Sequence, residues 1–302
     1  MNNEAEILVN NETATNWSND MNHENEIVVY DATEDETGDN QQRYKNIGET
    51  SCPSSLVVCL DLSGSMSAMS GGHTLYEIQL EAFHDLARTL VENCSSSSGK
   101  IKDRVHLGIL GITDNRPEIV MKFGPISKNF SKGSNISLGE TPEYGGTDHE
   151  SCVNTVYEIF KNSPELSAGA RKSSFNVCVL ISDGGHNSSS KEQLINAAER
   201  LKSLPAEDGI SPTLLVPVFI NTTNNDEVDL REYKGVMVSE VSDEDEKLMA
   251  EIASEVPSEM LNRLRDITPN MRKSSKIMFR GGPGVMKAAL SFIAEASSMR
   301  QQ

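Results

Sequence analysis

Three oxygen-bearing residues follow one another in the stretch SLVVCLDLSGSM, residues 55–66. They are Asp61, Ser63 and Ser65, spaced D-x-S-x-S. One carboxylate and two hydroxyls within five residues form a hard-oxygen donor set, the type that suits Mg²⁺ or Mn²⁺. Alone the pattern is weak. Serine-rich turns after strands are common, and an Asp or Ser in that place also caps a following helix. Two later stretches add to it. Gly145-Gly146-Thr147-Asp148 brings a threonine hydroxyl just ahead of a helical pattern. The run VCVLIS, residues 177–182, is apolar and ends in Asp183-Gly184-Gly185.

The elements that must position these groups are legible in the hydrophobic pattern. Residues 55–60 and 177–182 are nearly continuous apolar runs, as expected of strands covered on both faces. In an open α/β sheet, ligands gather at the carboxyl ends of such strands. Leu75, Ile78, Ala82, Phe83, Leu86 and Leu90 recur at helical spacing and predict an amphipathic helix over 74–93. Its positive dipole end points to the rim that carries Asp61. Residues 105–112 predict a strand, 113–117 a turn in which Asp114 is turn chemistry, and 118–123 an antiparallel edge strand. The Gly/Ser/Asn-rich stretch 124–146 is a long loop that delivers Thr147.

Further helices are predicted after Thr147 (through Val153, Val156, Ile159 and Phe160), over 189–203, over 243–267 with an interruption at Pro257, and through Met286, Ala289, Leu290 and Ile293. Further strands are predicted at 213–220 and 276–279, and residues 221–242 read as an inserted loop or hairpin. Ser95–Lys100, SSSSGK, lacks the first glycine, the hydroxyl after Lys100 and the preceding strand of a phosphate loop. Gly281-Gly282-Pro283-Gly284 reads as a loop and helix cap rather than an anion site. Strands alternating with helices give an α/β class: a doubly wound, mostly parallel sheet with one antiparallel edge strand and helices on both faces.

The set D-x-S-x-S, then a G-G-T turn, then an apolar strand ending S-D-G resembles the metal-ion-dependent adhesion site (MIDAS) of von Willebrand factor A (vWA) domains. All five motif positions are present: Asp61, Ser63, Ser65, Thr147 and Asp183. The resemblance covers residues 51–302. It implies six strands in the order 3-2-1-4-5-6, which makes the strands before Asp61 and Asp183 neighbours. It also implies an octahedral Mg²⁺ (or Mn²⁺) held directly by Ser63 and Ser65. Thr147 joins directly or through water, and Asp61 and Asp183 act through waters. One position then remains for an Asp or Glu of a partner protein.

Composition narrows the function classes. The chain has 302 residues and a net charge of −18. So acidic a surface argues against nucleic acid and against anionic lipid as partners. No apolar run is long enough to span a membrane, and the polar, acidic start is unlike a secretory signal. A cytoplasmic location is the expectation. Five cysteines, an odd number, agree, because Cys59 and Cys178 fall inside the predicted core strands.

Residues 1–50 hold twelve acidic residues, ten Asn and only Arg43 and Lys45 as cations. This is the composition of a disordered tail. Two islands stand out in it, Glu4–Val9 and Glu24–Val29, both E-x-E-I-[LV]-V and twenty residues apart. Such a β-branched segment has the chemistry to add a strand to a partner's sheet edge, making the tail a tether; chance in an acidic tail is the plainer account.

The function expected is a non-enzymatic, metal-dependent protein-interaction module. In layout it resembles the intracellular, tellurite-resistance-associated bacterial vWA proteins. That resemblance implies a scaffold or adaptor beside a phosphatase, a kinase-like protein or an ATPase component. Two alternatives stand beside it: a vWA subunit serving a separate AAA-type ATPase, and a metal-dependent phosphoesterase. No nucleophile–base pair supports the phosphoesterase, although His149 or His186 offers a base. His73, His149 and His186 each follow a site loop. Together they suggest a second, softer metal site or a pH-sensitive surface, with exposed loop residues as the plainer reading.

Overall fold

The structure is a computed structural model. It describes residues 6–9, 13–15, 25–31, 54–95, 105–129, 145–162, 176–183, 185, 189–208, 213–220, 228–229, 243–255, 275–282 and 284–298. In chain order the strands and helices are β1 (Glu6–Val9), β2 (Thr13–Thr15), β3 (Asn25–Asp31), β4 (Ser54–Asp61), β5 (Met69–Ser70), β6 (His73–Thr74) and α1 (Leu75–Cys94). Then come β7 (Val105–Ile112), β8 (Glu118–Pro125), α2 (Ile126–Asn129), α3 (His149–Asn162), β9 (Asn176–Ser182) and α4 (Lys191–Asp208). The last are β10 (Thr213–Ile220), β11 (Val228–Asp229), α5 (Asp243–Ile252), β12 (Ser275–Gly281) and α6 (Val285–Ser298). The predicted insertion at 221–242 lies outside the described residues except for β11, which pairs with β5.

The core sheet runs β8-β7-β4-β9-β10-β12. Neighbouring strands are parallel except at β8, which is antiparallel to β7. This is the order 3-2-1-4-5-6 with one antiparallel edge. The central strand β4 is paired on both sides along its length, and Leu56 to Leu60 are all fully buried. Burial on both faces is why it reads as an unbroken apolar run rather than an alternation.

Alternate residues of each strand feed two cores. Leu56, Val58 and Leu60 pack with Phe83, Leu86 and Leu90 of α1 and with Met286 and Leu290 of α6. Val57 and Cys59 pack with Val153 and Phe160 of α3, Leu194 and Leu201 of α4 and Met249 of α5. The ion pair Lys287–Asp85, at 2.8 Å, joins α6 to α1. On the other face, the Arg200 guanidinium of α4 sits 3.8 Å over the Tyr157 ring of α3. The described cysteines are core residues: Cys59, Cys94, Cys152 and Cys178 are free and buried. Hydrogen bonding to Cys152, then burial, holds the Cys59 thiol well above its ordinary range, so it stays a neutral packing group.

Within residues 1–50, expected to be a disordered tail, residues 6–9, 13–15 and 25–31 form strands, and the rest lie outside the described residues. β3 pairs antiparallel with β12 over seven positions, from Asn25 opposite Gly281 to Asp31 opposite Ser275. β1 pairs parallel with β3, and short β2 closes that end of a nine-stranded sheet. The two islands thus pair with each other, Glu6–Val9 against Glu26–Val29. Averaged composition hides this, because strand preference is carried by a few β-branched residues and realised where an open edge offers hydrogen-bond partners.

Helix α1 starts at a capping box, in which the Thr74 hydroxyl accepts from the Glu77 N–H at 3.1 Å and the Glu77 carboxylate accepts from the Thr74 N–H at 2.8 Å. Both bonds are solvent-exposed, so replacing Thr74 by Ala should cost about 1 kcal/mol. Urea denaturation of Thr74→Ala checks this, and a loss under a few tenths would show that packing alone sets the start of α1.

Candidate functional site

The carboxyl ends of β4 and β9 lie side by side, because the two strands pair in parallel from Ser55–Asn176 to Cys59–Leu180. Asp61 ends the first and Asp183 follows the second. Both are buried, at 0% and 4% exposed. After Asp61 the chain turns through Leu62 and Ser63 into a single 3-10 turn, Gly64–Ser67. The Asp61 carboxylate shapes this turn: its Oδ1 accepts the Ser63 N–H at 2.8 Å. Its other oxygen, Oδ2, accepts the Ser182 hydroxyl at 2.7 Å.

Turn geometry then sets the hydroxyls. Ser63 Oγ and Ser65 Oγ stand 2.9 Å apart. Ser63 also hydrogen-bonds to Asp61, and Ser65 to Asp183. A continuous hydrogen-bonded set therefore runs Asp61–Ser63–Ser65–Asp183. The loop of Thr147 is pinned from both ends: Gly145 C=O accepts the Gly64 N–H at 3.4 Å, and Asp148 N–H donates to Thr113 C=O at 2.8 Å. Asp148 also caps α3, where its Oδ1 accepts the Ser151 N–H at 3.0 Å. Thr147 is buried there, 3% exposed. All five residues singled out by the motif thus sit on the loops of one rim.

Three positioning residues lie outside the five metal-site positions. Gln79 of α1 is fully buried and clamps the Asp61 backbone, with Asp61 N–H donating to Oε1 at 3.1 Å and Nε2 donating to Asp61 C=O at 3.0 Å. The available signal was a glutamine on the apolar stripe of α1, where a buried amide needs partners. Ser182 reads as the last residue of an apolar strand, yet its hydroxyl holds Asp61. Gly111 of β7 leaves room for Leu62, since a Cβ there would collide with the Leu62 side chain. Beyond the 3-10 turn, β5 and β6 form a hairpin whose two turn residues, Gly71 and Gly72, have φ of +56° and +87°. That conformation favours glycine.

Electrostatics single out the carboxylates. Burial, and then the charge of Asp183, push Asp61 up to about 7. Burial is also the main cause that raises Asp183, with Asp245 of α5 adding to it. Among the described residues no cation pairs with either. Lys191 of α4 pairs with Glu244 of α5 at 2.7 Å. Two buried carboxylates without a counter-cation, flanked by hydroxyls, form a donor set that fits a hard dication. The two serine hydroxyls are hydrogen-bonded to each other at 2.9 Å and would both be available to an ion held there.

His149 and His73 do not share a surface. His149 is fully buried in the first turn of α3, whereas His73 is 71% exposed and lies 3.8 Å from Glu77. His186 lies outside the described residues. No group of three or more His, Cys, Asp or Glu suited to a metal ion occurs among the described residues. The softer site, weighed against exposed loop residues as the plainer reading, gains no support among the described residues, and burial removes His149 as an accessible base. No described helix is long and apolar enough to cross a membrane.

Removing the clamp should open the rim. Gln79→Leu leaves the Asp61 N–H and C=O buried and unpaired, at about 1–3 kcal/mol each. Mg²⁺ affinity measured by calorimetry should fall with it, and an unchanged affinity would show that the clamp does not set the site. Protonation gives a second expectation. Unfolded Asp61 titrates near 3.8 and the folded group near 7. Below the first value both states are protonated and no penalty exists; it grows as pH rises and is complete above the second. Metal-free protein should therefore lose stability between these pH values, and the rise in Tm on adding Mg²⁺ should be larger at pH 8 than at pH 5. Asp61→Asn should flatten that difference.

No protein-family model matches the chain, and no curated protein matches it. Solved structures do align with it. A pilus adhesin, SpaC from Lactobacillus rhamnosus GG, is 13% identical over 84% of this chain with a TM-score of 0.48; the chain spans 31% of that protein's length. The SpRpn10 VWA domain is 13% identical, covering 67% of this chain and 83% of its own, with a TM-score of 0.38. Proximal thread matrix protein 1 from the mussel byssus, with a zinc-occupied MIDAS motif, is 11% identical, covering 82% of this chain and 48% of its own, with a TM-score of 0.40.

Proposed function

We propose that the protein is a metal-dependent protein-interaction module, which binds an acidic residue of a partner through a divalent cation, Mg²⁺ or Mn²⁺, at the Asp61 rim. One observation carries the reading: the buried pair Asp61 and Asp183 faces the two serine hydroxyls and has no counter-cation among the described residues. Ser63 and Ser65 would hold the ion with Thr147, while Asp61 and Asp183 supply its compensating charge. Bound there, the ion offers a Lewis-acidic position to an outside carboxylate.

The chain's own groups prepare that position. Ser182 and the Ser63 N–H keep the Asp61 carboxylate oriented, and Gln79 fixes the strand end that carries it. Two protein carboxylates leave a dication with unmet demand for oxygen, which a partner Asp or Glu satisfies. The net charge of −18 strengthens the selectivity. Repulsion disfavours casual contact with acidic surfaces, and the ion rewards one particular carboxylate. We place this module in the cytoplasm, as an adaptor in a multi-component system of the tellurite-resistance type, beside a phosphatase, a kinase-like protein or an ATPase. The buried position of His149 leaves the phosphoesterase alternative without that base.

Affinity purification tests the reading, with wild type and Asp61→Ala/Ser63→Ala, each in Mg²⁺ and in EDTA. A protein retained only by wild type in Mg²⁺ is the expected result. An identical set of proteins in all four samples would overturn the metal bridge.

A further inference from the structure

Ile112, the last residue of β7, stands opposite Asp61 in the parallel pairing of β7 with β4. The turn that follows, residues 113–117, therefore sits on the rim of the candidate metal site. Three contacts seat it against the site loops. Leu62 N–H donates to Ile112 C=O at 3.0 Å, and Asp148 N–H donates to Thr113 C=O at 2.8 Å. The third is steric: a Cβ on Gly145 would come within 3.2 Å of Asp114 Cγ. Glycine at 145 lets the loop that carries Thr147 close up against the Asp114 carboxyl group.

The turn is braced without using its charges. Thr113 Oγ1 donates to Arg116 C=O at 2.6 Å and closes it. Turn chemistry, the role expected of Asp114, is thus supplied by Thr113. Among the described residues the Asp114 carboxylate accepts only the Asn115 side-chain amide, at 2.8 Å. Asp114, Asn115 and Arg116 are all exposed. Neither charged side chain forms an ion pair among the described residues. An exposed charge that the fold does not use, carried on a fixed backbone, has little freedom left to lose when a partner arrives.

The neighbours decide which sign of partner charge this position takes. Asp148 follows Thr147, is half-buried, and accepts the Ser151 N–H with one oxygen. On the far side, the charge of Asp245 acts on Asp183, while Glu244 and Lys191 neutralise each other. A dication at the rim balances the charges of Asp61 and Asp183. Asp114, Asp148 and Asp245 then remain in the surrounding ring, with Arg116 as the cation not spent on an ion pair. A partner carboxylate that reaches the ion brings its sequence neighbours across this ring, at about 3.4 Å per residue in an extended segment. Those on the β7 side meet Asp114, which repels an acidic neighbour and attracts a basic one.

We propose that Asp114 is a specificity-determining residue of the metal site, selecting a partner whose coordinating Asp or Glu has a lysine or arginine within two residues of it. The inference rests on the metal-bridged reading of the rim and adds what must stand beside the bridging carboxylate. Selection then has two parts. The ion requires a carboxylate, and Asp114 requires that its neighbour be basic. Discrimination needs a repulsive element as well as an attractive one, and Asp114 supplies it against carboxylates that lie in acidic runs.

The test uses the full chain at saturating Mg²⁺ and three labelled peptides, GKGDGKG, GEGDGEG and GKGNGKG, read by fluorescence anisotropy. The proteins are wild type, Asp114→Lys, Asp114→Asn and Glu92→Lys. Glu92 is exposed in the last turn of α1, a helix that starts at the rim and runs away from it. Its reversal changes the net charge as Asp114→Lys does, so it removes the part of the effect that belongs to the chain's overall charge of −18. Wild type should bind GKGDGKG more tightly than GEGDGEG. Asp114→Lys should shrink that ratio about tenfold, because several exposed charge contacts, each about twofold in affinity, change sign together. Asp114→Asn should shrink it less, and Glu92→Lys less than twofold. A ratio that Asp114→Lys moves no more than Glu92→Lys does would overturn the selection and leave the metal bridge standing. If GKGNGKG binds as well as GKGDGKG, if binding survives EDTA, or if neither aspartate peptide binds, both the selection and the metal bridge fall.

Discussion

Asp61 and Asp183 are carried out of water side by side, and the rim is built around that constraint. Ionised carboxylates lose hydration on burial, at several kcal/mol per ion even after relaxation. Nothing cationic among the described residues offsets this. What remains is hydrogen bonding and rigidity. Each Asp61 oxygen receives a donor, the Ser63 N–H on one and the Ser182 hydroxyl on the other. The backbone of the same residue is held on both its polar groups by Gln79. The pair sits at the ends of β4 and β9, the buried centre of the sheet.

From that constraint follows the role of the loops. The 3-10 turn after Asp61 aims two hydroxyls at the carboxylates rather than at solvent, and a backbone bond from Gly64 to Gly145 draws the Thr147 loop against it. Leu62 fills the space left by Gly111, so the turn is anchored from below as well as by its own bonds. Each contact is modest. Together they preorganise an anionic, hydroxyl-lined rim before any ion or partner arrives, which lowers the ordering cost of binding.

At the far side of the sheet the physical problem is reversed. There the backbone, not a side chain, carries unmet hydrogen-bonding capacity, and the chain's own amino-terminal segment meets it. Closing the sheet with the very short strand β2 also limits edge-to-edge association.

The sequence by itself determined the core strands, the α/β alternation and the five rim residues. Those signals are local: an apolar run announces a strand buried on both faces, and D-x-S-x-S is contiguous. The order of the six core strands came through the vWA resemblance rather than from pattern, and the pairing agrees with it. Only the tertiary structure decided what depends on distance in the chain. Gln79 meets Asp61 eighteen residues away and Ser182 meets it across 121, so neither pairing has a sequence signature. His149 looked like a rim residue because it follows Thr147, but helical phase turns it into the core. The acidic islands had the chemistry of an added strand, with chance the plainer account, and the edge they join belongs to their own sheet. Local pattern states which residues prefer a strand; which strand they join is decided by the edge that folding leaves uncovered.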